Sequence, residues 1–374
     1  MKQTMNKDQA YPVRVIAFYL PQFHPTPEND RWWGKGFTEW TNVGKAKPLF
    51  RGHYQPKVPA DLGYYDLRLP ESRIAQAELA RAYGVEGFCY WHYWFGNGRQ
   101  LLQRPFNEVL HSGKPDFPFC LAWANHSWED KQFSKEGTHR MLMEQLYPGD
   151  ADYVKHFEAL LPAFEDQRYL RVGNDPIFVI YSPNQVPDAG HFIEVWQHEA
   201  SKRGFRMHFV GHTTYAPEYN HFLNEGFDAA VIVRLFDLFR RDCSLWERFT
   251  TKFRRMAMGQ GRRIDYSRAA AFFCGEEDRL DTCYPTIIPN WDHSPRSGRA
   301  AHILLNATPD KFEKHALQTF REVLPKPAEK RIVFLKSWNE WAEGNYMEPD
   351  LKFGRGNLEA LRRALEQISK EARP

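Results

Sequence analysis

The chain of 374 residues is 42% hydrophobic, enough to bury a large core in one big α/β domain or in two ordinary ones. Its 50 basic and 47 acidic residues leave a formal charge of only +3, spread without a clustered basic stripe, so no nucleic acid partner is expected. Met1–Ala10 lacks the apolar core of a signal peptide and no stretch offers the roughly 20 apolar residues of a membrane span, so a soluble, cytoplasmic protein is expected.

Along the chain, eight apolar, β-branched or aromatic runs of strand length are predicted: Val13–Tyr19, Val85–Trp91, Phe117–Trp123, Ile177–Tyr181, His208–His212, Ala229–Leu235, Thr286–Pro289 and Ile332–Ser337. Helical periodicity falls at Glu71–Tyr83, Leu101–Leu110, Ala151–Phe164, His191–Arg203, Glu218–Glu225, Leu245–Phe253 with Tyr266–Phe272, Lys311–Val323 and Leu358–Glu371. Strands that alternate with helices form βα units around a parallel sheet, and eight units in this length predict a (β/α)8 TIM barrel. The expected organisation is an N-terminal tail at 1–12 and one barrel domain at 13–374 with long βα loops, the Pro-rich stretch Lys47–Pro59 among them. The first strand runs into Leu20-Pro21-Gln22-Phe23-His24-Pro25 without GxGxxG, which removes the main support for a dinucleotide-binding sheet.

The runs change character at their C-terminal ends, the face on which parallel barrels carry their active sites. Tyr19 and His24 follow the first strand, and Tyr90, Trp91, His92 and Trp94 lie at the second. Trp123, Asn125, His126 and Trp128 follow the third; Tyr181 ends the fourth and His212 the fifth; Asn290, Trp291 and His293 follow the seventh; Trp338, Asn339 and Trp341 follow the eighth. Flat aromatic faces for sugar rings, with His, Asn and carboxylates for hydroxyls, make a glycan-binding cleft; single aromatic residues are also consistent with simple capping of the barrel. The loop after the first strand adds Trp32, Trp33 and Trp40, with Glu39 read either as part of a cleft wall or as a salt-bridged loop residue.

The sharpest signal is Glu340-Trp341-Ala342-Glu343-Gly344. On a strand, residues three apart face opposite sides; on a helical turn they are neighbours, so the strand is expected to end near Trp338 and a turn to bring Glu340 and Glu343 together. Carboxyl groups roughly 5–5.5 Å apart suit a retaining glycosidase and roughly 6.5–9.5 Å an inverting one. Mutual repulsion and desolvation raise one of the two so that it can donate a proton near neutrality. The alternative is that both glutamates pair with arginines at the start of the last helix.

Five cysteines (Cys89, Cys120, Cys243, Cys274 and Cys283) are an odd number at irregular spacing without CxxC, which favours reduced thiols. His24, His92, His126, His212 and His293 at strand ends admit a metal site, but no HExxH pattern is present and sugar hydroxyls account for them more simply. A serine hydrolase lacks its GxSxG elbow, and Asp278-Arg279-Leu280-Asp281 has the wrong spacing for the DxD motif of nucleotide-sugar enzymes.

Five separated motifs carry a resemblance that spans roughly Val13 to Glu366: Tyr19–Pro25, Trp32–Trp40, Gly87–Phe95, Trp123-Ala124-Asn125, and Trp338–Gly344 followed by Glu348-Pro349-Asp350. They resemble the WbsX-type family of polysaccharide-cluster proteins, which is similar to glycoside hydrolase family 99, the endo-α-mannosidases and endo-α-mannanases. The resemblance implies a (β/α)8 barrel without metal or organic cofactor. It implies Glu340 as base on a sugar 2-hydroxyl, giving a 1,2-anhydro sugar, and Glu343 as acid/base at the leaving oxygen. The expected partner is an oligosaccharide or polysaccharide, and the expected enzyme a retaining endo-acting glycoside hydrolase on a mannose-containing or related bacterial glycan. The alternatives are a glycosyltransferase or transglycosylase of surface-polysaccharide assembly and a non-catalytic glycan-binding barrel. One departure stands out: where the family commonly has a carboxylate after Trp-Ala-Asn, this chain has His126-Ser127-Trp128.

Overall fold

The computed structural model describes residues 11–130, 140–241, 244–257 and 261–373. Eight strands, β1 (Arg14–Tyr19), β2 (Gly87–Trp94), β3 (Phe119–Trp123), β4 (Asp175–Ile180), β5 (His208–Thr213), β6 (Ala229–Ile232), β7 (Cys283–Ile287) and β8 (Ile332–Leu335), pair in parallel in chain order. The sheet closes because β1 pairs on both sides, Ala17 lying opposite Phe88 of β2 and Leu335 of β8. Helices α1 (Pro70–Ala82), α2 (Arg104–Ser112), α3 (Asp150–Phe164), α4 (Ala189–Ser201), α5 (Tyr219–Asn224), α6 (Leu245–Ala257), α7 (Pro309–Val323) and α8 (Gly356–Glu371) follow the successive strands. The chain is therefore a (β/α)8 barrel.

Each strand falls on a predicted run, with three instructive shifts. β7 begins three residues before the predicted Thr286, because Pro285 interrupts the apolar pattern without interrupting the ladder, where it lies opposite Ile232. β2 continues past Trp91 to Trp94, pairing with β3 as far as His92 and Trp123 and then folding back on Gln100–Leu101. That hairpin, and Leu102 at φ 57°, delay α2 to Arg104. Among the short helices outside the predicted set, Pro27–Trp33 and Glu39–Lys45 shape the loop after β1. Thr26 caps the first through Asn29 N and Thr38 the second through Trp40 N.

The aromatic surplus fills the layer between strands and helices, where Trp196 of α4 meets Phe178 at 4.7 Å, Phe192 at 4.9 Å and His156 at 5.0 Å. Cys89, Cys120 and Cys283 are buried, Cys274 is half-buried and all four are unbridged, while Cys243 lies outside the described residues. Asp278 is buried against Arg234 at 3.1 Å, an ion pair within the fold. Among the described residues no helix is long and apolar enough to cross a membrane.

Candidate active site

After β8 the chain crosses the mouth of the barrel, and its neighbours hold it there. Trp338 N donates to Phe18 O at 2.8 Å, and the Asn339 amide clamps Leu20, accepting from its N–H at 2.7 Å and donating to its carbonyl at 3.0 Å. Asn339–Glu340 pairs antiparallel with Asn345–Tyr346, and Trp341–Glu343 between them makes one 3-10 turn. Residues three apart eclipse in such a turn, which sets Glu340 and Glu343 on one side. Gly344 closes it at φ 60°, where a Cβ would fall 2.5 Å from Lys57 Nζ and 2.7 Å from Asp292 Cβ. Both carboxyl groups line a cavity of about 410 Å³ at the mouth of the barrel.

The turn rests on a second carboxylate. Glu348, buried beneath it, accepts from Trp341 Nε1 at 2.6 Å, Gln76 Nε2 at 2.6 Å and Tyr65 OH at 2.9 Å. Burial pushes Glu348 up to about 7, against the lowering effect of these bonds. Asp292, whose carboxylate is hydrogen-bonded to His53 and Gln55 at 2.8 and 2.7 Å, ties the end of the turn through its backbone, its N–H donating to Glu343 O at 2.7 Å. Burial acts to raise Asp292, but His53, Lys57 and Ser294 outweigh it and bring it down to about 2.

Environment separates the two cavity carboxyls. Glu340 is pushed up to about 7, first by burial and then by the charge of Glu343. It accepts from Trp91 Nε1 at 3.0 Å, and Arg296 Nη1 is 3.8 Å away. Burial also acts to raise Glu343, but Arg296 Nη1 at 2.5 Å, His293 Nε2 at 3.7 Å and the charge of Lys336 bring it below the ordinary carboxylate range. A hydrogen bond from protonated Glu340 lowers it further. Between the two midpoints the pair therefore holds one proton, mainly on Glu340, and near neutrality that proton is about half dissociated. Arg296 also meets Glu39 at 3.2 Å, so one guanidinium serves three carboxylates. Burial opposes its charge, and Glu39, Glu343 and Glu340 more than restore it.

Of the predicted residues, Trp33, Glu39, Trp91, His126, Trp128, Tyr181, His212, Trp291, Glu340 and Glu343 line the cavity. Glu39 satisfies both of its readings, facing the cavity and pairing with Arg296. Trp91 stacks on Phe18 with ring centres 4.8 Å apart. His212 Nδ1 lies 3.2 Å from Tyr181 O; a carbonyl only accepts, so Nδ1 carries the proton and buried Nε2 offers a lone pair that no group among the described residues takes up. Trp291 Nε1 is a buried donor without a hydrogen-bond partner among the described residues. His293 stands beside Glu343 and stacks on Trp291 at 5.8 Å.

The remaining predicted residues sit in packing outside the cavity, mostly because side chains alternate along a strand. On β2, Trp91 and Tyr93 point to the cavity, while Tyr90, His92 and Trp94 point to the helices. Tyr90 packs on Phe106 at 5.4 Å, His92 Nε2 meets His156 Nε2 at 2.9 Å, and Trp94 Nε1 donates to Asp152 at 3.0 Å. Beyond β3, Ala124 and His126 face inward, whereas Trp123 donates to Trp94 O and Asn125 bonds Ser182 and Tyr147. Tyr19 donates to Gln76, Trp40 donates to Tyr65 O, and Trp32 packs edge-on against Trp128. His24 is buried away from the cavity, Asn290 accepts from Trp291 N, Asn339 holds Leu20, Trp338 packs on Phe88, and Trp341 stacks on Tyr346 at 3.8 Å. Among the described residues no cluster of three His, Cys, Asp or Glu side chains is arranged to hold a metal ion.

Sequence reasoning missed Arg296 and Lys336. Three carboxylates in one cleft require a counter-cation, and Arg296, six residues beyond Asn290 in a strand-end segment, was available to that argument. The arginine that meets the glutamates comes from the segment after β7, not from the last helix.

The model of the family described as Glycosyltransferase WbsX matches residues 15–361. The protein named Uncharacterized protein WxcX of Xanthomonas campestris pv. campestris is 36% identical over 371 residues, which is 97% of this chain and 51% of that protein. Its counterpart in strain B100 is 36% identical over 365 residues, 96% and 50% of the two chains. The chain thus spans about half the length of the curated relatives it matches. In fold it is similar to the GH99 endo-alpha-mannosidase from Bacteroides thetaiotaomicron, with a TM-score of 0.55, 14% identity and coverage of 96% of this chain and 98% of that one. A structure described as Glycoside hydrolase-like protein gives a TM-score of 0.57 at 14% identity, covering 98% and 97%. At these identities the likeness is one of fold.

Proposed function

Because the chain belongs to the family described as Glycosyltransferase WbsX, we propose that it is a glycan-active enzyme, a retaining endo-acting glycoside hydrolase whose reaction is carried by Glu340 and Glu343. The observation that carries this reading is the pair of adjacent carboxyl groups, sharing one proton below neutrality in a cleft walled by Trp33, Trp91, Trp128 and Trp291. Its substrate is an oligosaccharide or polysaccharide containing mannose or a related sugar. Glu340 takes the proton of the sugar 2-hydroxyl while that oxygen attacks the anomeric carbon. Glu343 gives a proton to the departing glycosidic oxygen as the bond breaks, leaving a 1,2-anhydro sugar. Water then attacks the anomeric carbon and loses a proton to Glu343, while Glu340 returns its proton to the 2-oxygen.

These roles require the proton to stand on Glu343 when the bond breaks, whereas the free site keeps it mainly on Glu340. The hydrogen bond between the two carboxyls is the route for that shift, and a sugar that loosens Arg296 from Glu343 favours it. Glu340→Gln and Glu343→Gln are each expected to lower turnover of α-mannosides or capsular polysaccharides by at least about 10²-fold while glycan binding persists. Unchanged turnover in either variant overturns the assignment, and absence of turnover in the wild type with binding intact favours a glycan-binding barrel.

The family description favours a second reading, in which a sugar acceptor replaces water at the same carbon. Assays with and without nucleotide sugars separate the two, since strict dependence on a nucleotide donor rules out hydrolysis as the main reaction.

A further inference from the structure

The even charge of the chain hides one local excess. Helix α6 carries Arg248, Lys252, Arg254 and Arg255 against one acidic residue, Glu247, so its 13 residues have the same net charge, +3, as the entire protein. On this helix Trp246, Phe249, Phe253 and Met256 are 71%, 62%, 58% and 73% exposed. They stand at i, i+3, i+7 and i+10 and so form one continuous stripe, with Trp246 and Phe249 stacked at 5.9 Å. Single exposed apolar residues are ordinary; a helix that turns a continuous, mainly aromatic apolar stripe to solvent beside exposed Lys252 has the composition of an interfacial element.

We propose that α6 docks the protein on an anionic lipid bilayer, the apolar stripe lying at the headgroup boundary, with Lys252 beside it and the helix's net positive charge drawn to lipid phosphates. Charge complementarity selects this occupant. A second copy of the same helix would set two helices of net charge +3 against each other, whereas each basic residue near an anionic membrane strengthens binding about fivefold. The arrangement also has a place in the fold. In the chain α6 follows the segment beyond β6 that supplies Val233, Leu235 and Phe236 to the cavity wall.

Co-sedimentation of the purified 374-residue protein with vesicles of phosphatidylglycerol and phosphatidylcholine, against phosphatidylcholine alone, tests this. The wild type is expected to partition onto the anionic vesicles and to be released as salt is raised. Trp246→Ser with Phe253→Ser is expected to weaken partition about tenfold or more, and Lys252→Glu, which keeps the stripe and changes only charge, by more than about fivefold. These residues are exposed, so far-UV circular dichroism of both variants should match the wild type. Absence of partition onto anionic vesicles overturns the proposal, as does partition unaffected by both variants. A dimer in sedimentation velocity that the serine variant breaks, without vesicle binding, assigns the stripe to a second copy instead.

Discussion

Replacing Arg296 by Met keeps an aliphatic stem in the cleft and removes the one guanidinium that faces Glu39, Glu340 and Glu343. Its strongest contact is with Glu343, at 2.5 Å. Unit charges about 4 Å apart interact by about 4 kcal/mol at an effective dielectric of about 20, which is an upper bound because 21% of the Arg296 side chain reaches solvent. Lys336 remains and takes over part of the neutralisation. The expected result is a rise in the Glu343 midpoint of about 1–2 pH units, bringing it towards Glu340 and spreading the shared proton over both groups. Carboxyl-carbon NMR of protein labelled at glutamate, with Glu343→Gln to assign the resonance, measures this without a substrate. On an active substrate the acid limb of kcat/KM should move up by the same amount. A Glu343 midpoint unchanged in Arg296→Met refutes the claim that this arginine sets the protonation order.

Glu340→Gln should make the protein more stable at pH 8 and leave it unchanged at pH 4. The folded value of about 7 lies above the ordinary 4.5, so stability tied to the protonated form is complete below about 4.5 and lost as pH rises through 7, at most about 3 kcal/mol or roughly 3–4 °C in Tm by calorimetry. Glu348→Ala leaves Trp341 Nε1, Gln76 Nε2 and Tyr65 OH without their acceptor; a loss of about 3–6 kcal/mol is expected, read as a lower denaturant midpoint. Gly344→Ala forces a Cβ onto Lys57 and Asp292 at a left-handed φ, so we expect a cost of about 1–3 kcal/mol and reduced turnover, because the turn that aims Glu343 must shift. Unaltered thermal unfolding in that variant would show the turn to be compliant.

The barrel was legible because its evidence is local and repeated: β-branched and aromatic runs alternate with helical periodicity, and each run was found where a strand formed. The carboxylate pair was legible for the same reason, since Glu340 and Glu343 are close in sequence and one turn with a glycine behind it settles their common direction. The cavity-lining residues were read less sharply. Enrichment in Trp, Tyr and His at a strand end marks the right end of the barrel, yet a period of two sends Trp91 to the cavity and Tyr90 and His92 to the helices, and phase needs a register to anchor it. Long loops conceal more, which is why Trp40 and Trp341, both candidate sugar platforms, turned out to pack against each other at 5.5 Å.

Local pattern alone determined the fold class, the end of the barrel that carries the cavity and the closeness of the two glutamates, because spacing of a few residues dictates each of them. Closure of the sheet decided the rest: it brought Arg296 from beyond β7, Glu39 from beyond β1 and Trp91 from β2 within reach of the last strand's carboxylates. The separation of the two protonation states depends on burial and on charges that are distant in sequence, quantities that exist only once the chain has folded.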